Sequence, residues 1–272
     1  MGLRKNDHTE QIIDTFSDYL LAKGRSENTL KTYVGVLYTF SQWLEVNDRY
    51  LVDVRSQDVQ AYMTYLETEQ RSASTINKIY NTINTFAKSI NKSEIMNEIQ
   101  RIEKDPSESN PPEPLDKNSL QQLIEKIKTD GNKRNIAIVY LLRHTGVRVL
   151  ELCALQRSNI QLSNQTGKLI VRNNNGERVI PLPNECIQHV KEYLDSRDDQ
   201  HEALFLSKSK KPISVRTVQH TLQQYGVHPK KLRHTFCYEL VGKGLDLSVV
   251  AQLAGHSDVN ITRQYVQDQK AI

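Results

Sequence analysis

Four of the chain's prolines fall within ten residues, Asp105-Pro106-Ser107-Glu108-Ser109-Asn110-Pro111-Pro112-Glu113-Pro114. Neither a helix nor a central strand can run through such a stretch, because proline has no amide donor and its ring fixes φ. The segment reads as an extended linker that divides the 272 residues into two parts, each long enough for its own core. The expected organisation is a helical domain over 1–104, a linker over 105–114 and a second domain over 115–272. A long surface loop within one domain is the alternative, and a change of charge across the stretch favours the linker. Residues 1–110 carry 13 Lys+Arg against 16 Asp+Glu, a net of −3, whereas 111–272 carry 23 against 16, a net of +7. A basic excess confined to one segment suits an anionic partner such as nucleic acid, while a mildly basic solvated surface is the plain alternative.

Before the linker the apolar residues keep a helical period. Leu30, Tyr33, Val34, Leu37, Phe40 and Leu44 recur at three- and four-residue steps behind Ser26, an N-cap residue type. Ile76, Ile79, Ile83, Phe86 and Ile90 repeat the pattern after Ser72-Ala73-Ser74. Ile12, Phe16, Tyr19 and Leu20, ended by Gly24, and Val59, Tyr62 and Leu66, opened near Ser56, give two more stripes. At least four helices are therefore predicted, a small bundle.

After the linker, Leu115–Leu155 again reads as helical. Gly167-Lys168-Leu169-Ile170-Val171-Arg172 and Glu177-Arg178-Val179-Ile180-Pro181-Leu182 flank Asn173-Asn174-Asn175-Gly176. Asn-Gly supplies the positive φ angles of a tight hairpin, so two paired strands are expected there. A short strand at Ala203–Ser207 and further helices complete a fold that is mainly α with a small β-sheet.

Hydrophobic residues make up 38% and charged residues 25%, the balance of a folded chain rather than a disordered one. The apolar run Ile136–Leu142 is less than half of the roughly 18 residues a membrane span needs. No targeting segment precedes the first helix, so a cytoplasmic location beside the nucleoid is expected. Cys153, Cys186 and Cys237 are far apart and odd in number, which argues against a disulfide framework or a structural zinc and for a reducing compartment. No phosphate-binding GxxxxGK[ST] loop, GxGxxG, HExxH, GxSxG or EF-hand loop is present, so no metal or cofactor is expected.

What remains is a set of phosphate-binding residue types at helix ends. Gly146 breaks a helix beside Arg148, with Glu151 one turn on. Pro229 opens another helix, placing Lys230 and Arg233 on one face. Gly255 ends a third, leaving His256 on the joint, and Tyr265 follows nine residues later. Singly, each of these has an ordinary structural explanation.

In this order the segments resemble the tyrosine recombinases, the phage-integrase type. The likeness is carried by Thr145–Leu152 (TGVRVLEL), Lys230–Phe236 (KKLRHTF) and Leu253–Tyr265 (LAGHSDVNITRQY), together with Ser26–Leu44 (SENTLKTYVGVLYTFSQWL). The resemblance implies an N-terminal helical core-binding domain and a C-terminal catalytic domain that together clamp double-stranded DNA. It implies that Tyr265 attacks the scissile phosphorus to give a 3′-phosphotyrosyl link and a free 5′-hydroxyl. Arg148 and Arg233 would hold the non-bridging oxygens, and planar bidentate guanidinium groups suit that task. His256 would donate a hydrogen bond or take the tyrosine proton, with Glu151 as the acidic support. The resemblance further implies two subunits on each site, four in the synapse and a Holliday junction, in a Xer-like recombinase or a transposon cointegrate resolvase.

Two departures stand out. Lys230 occupies a place where the family usually has His, and an ammonium can still donate to phosphate. The family's general-acid lysine falls on Asn173, which cannot protonate a leaving oxygen. Arg172 beside it is a poor acid and would act as a phosphate clamp, while Lys168 sits at the wrong end of its strand, and Lys230 is the favoured substitute. Two rival functions follow: a catalytically weak or dead DNA-binding relative, and DNA relaxation like that of a type IB topoisomerase.

Overall fold

The computed structural model describes residues 5–99, 101–102, 113–163, 166–173 and 176–267. The chain forms two compact units, Met1–Ser109 and Asn110–Ile272. Most of the linker, and the Asn174-Asn175 tip of the expected hairpin, lie outside the described residues.

The first unit holds α1 (Lys5–Ala22), α2 (Glu27–Val46), α3 (Ser56–Thr68) and α4 (Ala73–Ser89). Ser26 and Ser72 are N-caps whose hydroxyls accept from the amides of Thr29 and Thr75, satisfying donors that the first helical turn leaves free. The predicted stripes face one another. Phe16, Leu37, Phe40, Leu44, Tyr62, Ile83 and Phe86 are buried, with Phe16 set edge-on to Phe86 at 5.6 Å and Phe40 against Tyr62 at 4.8 Å between ring centroids.

The second unit is built around α6 (Lys133–Thr145), which follows α5 (Lys117–Thr129) and precedes α7 (Val149–Ala154). Ile136 to Leu142 is buried on every side, the pattern of a central helix rather than an amphipathic surface one. A three-stranded antiparallel sheet comes next: β1 (Ile160–Leu162), β2 (Gly167–Asn173) and β3 (Gly176–Leu182), in that order, with Asn173 paired to Gly176. Then come α8 (Asn184–Asp195), α9 (Val215–Gln223), α10 (Pro229–Gly242), α11 (Leu247–Ala254) and α12 (Val259–Gln267).

The helical region expected over Leu115–Leu155 is three helices, parted by the Asp130-Gly131 turn and by Gly146 in the left-handed region. The strand expected at Ala203–Ser207 does not form; Ala203 and Leu206 make only isolated bridges, to Gln156 and Pro212. Ala203 to Leu206 are apolar and buried, as a strand's residues would be, but the polar backbone is satisfied otherwise. The Arg197 guanidinium donates to the carbonyls of Ala203 (2.7 Å) and Leu204 (3.0 Å), and the amide of Leu204 donates to the Leu155 carbonyl. No helix among the described residues is long and apolar enough to cross a membrane.

Candidate active site

Three chain segments, each at a helix end, meet in the second unit. The first is the α6–α7 junction. Gly146 caps α6 with φ 59°, and a Cβ at this position would collide with the Phe236 ring, so only glycine allows both the turn and the approach of α10. Arg148 is the N-cap of α7; its amide donates to Glu151 Oε2 at 2.8 Å. The second segment is the first turn of α10, with Pro229 at its start, Lys230 exposed and Arg233 half-buried. The third is the α11–α12 joint, where Gly255 (φ 71°) caps α11 and His256 follows.

Hydrogen bonds from the arginines tie these segments together. Arg148 Nη2 donates to the Gly255 carbonyl at 2.7 Å, and Arg233 Nη1 donates to the carbonyls of Gly146 and Ala254, the latter at 2.6 Å. The two cations therefore converge on one turn, an arrangement that suits a bound phosphate. Burial first, and then Arg148, lowers the pKa of Arg233.

Glu151 acts chiefly through a residue that the sequence did not mark. Arg178, on β3, grips its carboxylate with two bonds of 2.8 Å, while Arg148 Nη1 stands 3.5 Å away and Asn173 Nδ2 donates at 3.2 Å. Arg178 also donates through Nε to the Leu253 carbonyl at 3.0 Å, and a Cβ on Gly255 would lie 2.8 Å from its Cζ. The pair thus connects the hairpin to the turn that carries His256. Burial on its own would raise the Glu151 pKa, but the bonds from Arg178 and the Arg148 amide outweigh it and hold it at about 2.

Replacing Arg178 with Met should leave a buried carboxylate with its main partner gone, a change that typically costs about 3–5 kcal/mol. The thermal transition of this unit should fall by roughly 6–20 °C. The depressed folded-state pKa means that Glu151 stabilises the fold above its ordinary 4.5, and that this contribution fades as pH drops toward about 2. Calorimetry should show that acid-dependent loss in the parent and a much weaker one in Arg178→Met; an unchanged Tm would contradict the assigned role.

His256 Nδ1 is bonded to Thr262 Oγ1 at 2.8 Å, and its ring lies parallel to that of Tyr265 at 6.4 Å. Burial, then Arg233 and Arg148, brings its pKa down to about 4. Tyr265 is 1% exposed, and its hydroxyl meets His234 Nδ1 at 2.6 Å, a second contact that the sequence did not mark. Burial, and then Cys237, pushes the phenol's pKa up. A cavity of about 490 Å³, lined in part by Asn173, Arg178, Gly255 and His256, opens beside the cluster.

The structure brings Arg148, Glu151, Asn173, Arg233, His256 and Tyr265 into one region, with Lys230 on the same helix turn as Arg233. Arg172 is engaged elsewhere: its Nε meets Glu177 Oε2 at 2.6 Å across the hairpin, with the side chain 63% exposed. Lys168 pairs with Pro181, near the end of β2 away from Asn173.

Two arginines, a histidine and a tyrosine thus converge on a helical unit with a small hairpin. The profile described as "Phage integrase family" matches residues 113–271, and that described as "Phage integrase, N-terminal SAM-like domain" matches residues 12–97. The chain belongs to the phage integrase family and is a tyrosine recombinase, an enzyme that cleaves and rejoins DNA. It is 30% identical to the tyrosine recombinase XerA of Pyrococcus furiosus over 276 residues, covering 97% of this chain and 92% of that protein. It is 28% identical to the TnP I resolvase of Bacillus thuringiensis, over 93% of this chain and 94% of that protein. The fold matches the XerH site-specific recombinase, solved bound to a palindromic difH substrate after cleavage, with a TM-score of 0.73 at 18% identity, over 92% of this chain and 79% of that one.

Proposed function

We propose that the chain recombines a specific duplex site through Tyr265 and resolves joined replicons, either transposon cointegrates or replicon dimers. The observation that carries this reading is the convergence of Arg148 and Arg233 on the Gly255 turn, with Tyr265 one helix beyond it. In the proposed step the scissile phosphate binds the two guanidinium groups, which stabilise the pentavalent transition state. The Tyr265 oxygen bonds to phosphorus, and the bond from phosphorus to the 5′ oxygen breaks. Glu151 and Arg178 hold Arg148 and the His256 turn in place. Lys230, exposed at the start of α10, protonates the leaving 5′ oxygen in place of the residue at Asn173. The similarity to a resolvase and to Xer proteins supports resolution as the biological outcome. Two subunits on each site, and four in the synapse, complete the proposal.

A supercoiled plasmid with two directly repeated cognate sites tests it. The expected product is two smaller circles, whereas relaxation without resolution would favour a topoisomerase-like role, and binding without any product would mark a catalytically dead relative.

Binding should also be strongly salt-dependent, since each neutralised phosphate contributes a log–log slope of about −0.9. With both units engaged on DNA, residues 113–272 alone should bind far more weakly and with a shallower slope. Full affinity in that fragment, measured by fluorescence anisotropy, would remove the helical bundle from the binding mechanism.

A further inference from the structure

We propose that His234 is a further catalytic residue, the group that takes the Tyr265 proton during strand cleavage and returns it during rejoining. This inference rests on the phosphotyrosyl reading above.

The argument begins with geometry. A general base must lie within hydrogen-bond reach of the proton it removes. His234 Nδ1 stands 2.6 Å from the Tyr265 hydroxyl, with the ring centroids 5.8 Å apart. His256, the other histidine near the phenol, has its Nδ1 bonded to Thr262, and its ring lies parallel to the phenol with centroids 6.4 Å apart, so neither feature aims an acceptor at the hydroxyl. His234 also follows Arg233 directly on α10. The helix therefore presents a phosphate-binding cation and a proton acceptor from adjacent residues, with the acceptor facing α12.

Charge is consistent with this role. The groups around the His234–Tyr265 pair are Lys230, Arg233 and Cys237 from α10, and His256 from the α11–α12 joint. Burial first, then Lys230 and Arg233, lowers the His234 pKa to about 4, so the ring is neutral and able to accept at neutral pH. A phosphate anion seated against Arg233 and Lys230 would offset the two cations that weaken this base. Proton affinity would then rise at the moment when the phosphate is in place. Tyr265 is 1% exposed, so its hydroxyl has to be uncovered before it can attack a phosphate.

The step balances. As the Tyr265 oxygen bonds to phosphorus, its O–H bond breaks and the proton passes to His234 Nδ1. The P–O5′ bond breaks, the 5′ oxygen leaves with the electron pair, and Lys230 supplies its proton. In rejoining, the 5′-hydroxyl attacks, Lys230 regains its proton, and His234 returns its own to the departing phenolate.

The test is single-turnover cleavage of a nicked suicide duplex by the full chain, from about pH 5 to about pH 9, with parent, His234→Asn and His234→Gln proteins. Asn offers an oxygen near the place of Nδ1 and can hold the hydroxyl, but cannot take its proton. Both variants should bind DNA within a few-fold of the parent and cleave about 10²–10⁴-fold more slowly at neutral pH. Their rates should keep rising roughly tenfold per pH unit where the parent levels off, because hydroxide must then replace the base. If either folded variant cleaves within a few-fold of the parent, or slows with an unchanged pH profile, the proposal is wrong and His234 only holds the ring. If the parent itself forms no adduct, the phosphotyrosyl reading fails first.

Discussion

Tyr265→Phe should abolish recombination between two marked duplexes and eliminate any covalent DNA adduct, while binding to the cognate site stays within a few-fold of the parent. The substitution removes one oxygen. That oxygen is the proposed nucleophile, and the ring that remains can still fill the pocket among Phe236, Cys237, Val250 and Ala254. The lost hydrogen bond to His234 is a local one, of a kind worth about 0.5–1.5 kcal/mol, so the fold should survive. Arg148 and Arg233, the proposed phosphate ligands, lie on other elements and should be unaffected. A residual adduct in this variant would move the nucleophile to another tyrosine, with Tyr238, on α10, the first to examine.

The second large effect concerns the leaving group. Expelling a 5′-alkoxide is the step that a positioned acid helps most, typically by about 10²–10⁴-fold. Asn173, which the resemblance puts at the general-acid position, donates to Glu151, and an amide gives up no proton at neutral pH. Lys168 is five residues back along β2, about 17 Å at roughly 3.3 Å per residue. Lys230 is on the turn of α10 that carries Arg233. Lys230→Ala should therefore slow cleavage of ordinary DNA by about 10²–10⁴-fold and leave a 5′-bridging phosphorothiolate almost unaffected, because its sulfur leaves without a proton. Equal slowing of both substrates would show that Lys230 binds phosphate rather than donating a proton. A large acceleration of the parent's cleavage by Asn173→Lys would show that the acid is missing.

The parts of this fold that depend on local pattern were legible in the sequence. Ser26 announces a helix because its hydroxyl caps the next turn, and the stripe from Leu30 to Leu44 matches the buried face of α2. Gly146 and Gly255 mark helix ends that only glycine can shape. Long-range satisfaction of polar groups was not legible. The Ala203–Ser207 run looks like a strand, yet its carbonyls are met piecemeal, those of Ala203 and Leu204 by Arg197, that of Phe205 by the Ile213 amide and that of Leu206 by Arg134. The three-residue β1 is too short to carry a pattern of its own.

The same division holds for the candidate site. Arg148, Glu151, Arg233, His256 and Tyr265 stand out because motif and spacing mark them. Arg178 looked like one strand residue among several, and its bidentate grip on Glu151 appears only when β3 is brought against α7. His234 was hidden by adjacency: one step along a helix turns a side chain by about 100°, so the residue after Arg233 faces α12 and not its neighbour's partners. Arg172 shows the reverse, a charge adjacent in sequence to the Asn173 position whose partner is Glu177 across the hairpin.

The most direct measurement is covalent trapping on a suicide duplex, using a site enriched from a random pool by binding to the full chain. After cleavage and nuclease digestion, mass spectrometry should locate a single nucleotide-modified peptide containing Tyr265, joined through the 3′ phosphate, with a free 5′-hydroxyl on the released strand. No adduct on a tightly bound site, a 5′-phosphate linkage, or modification at any other tyrosine would contradict the account.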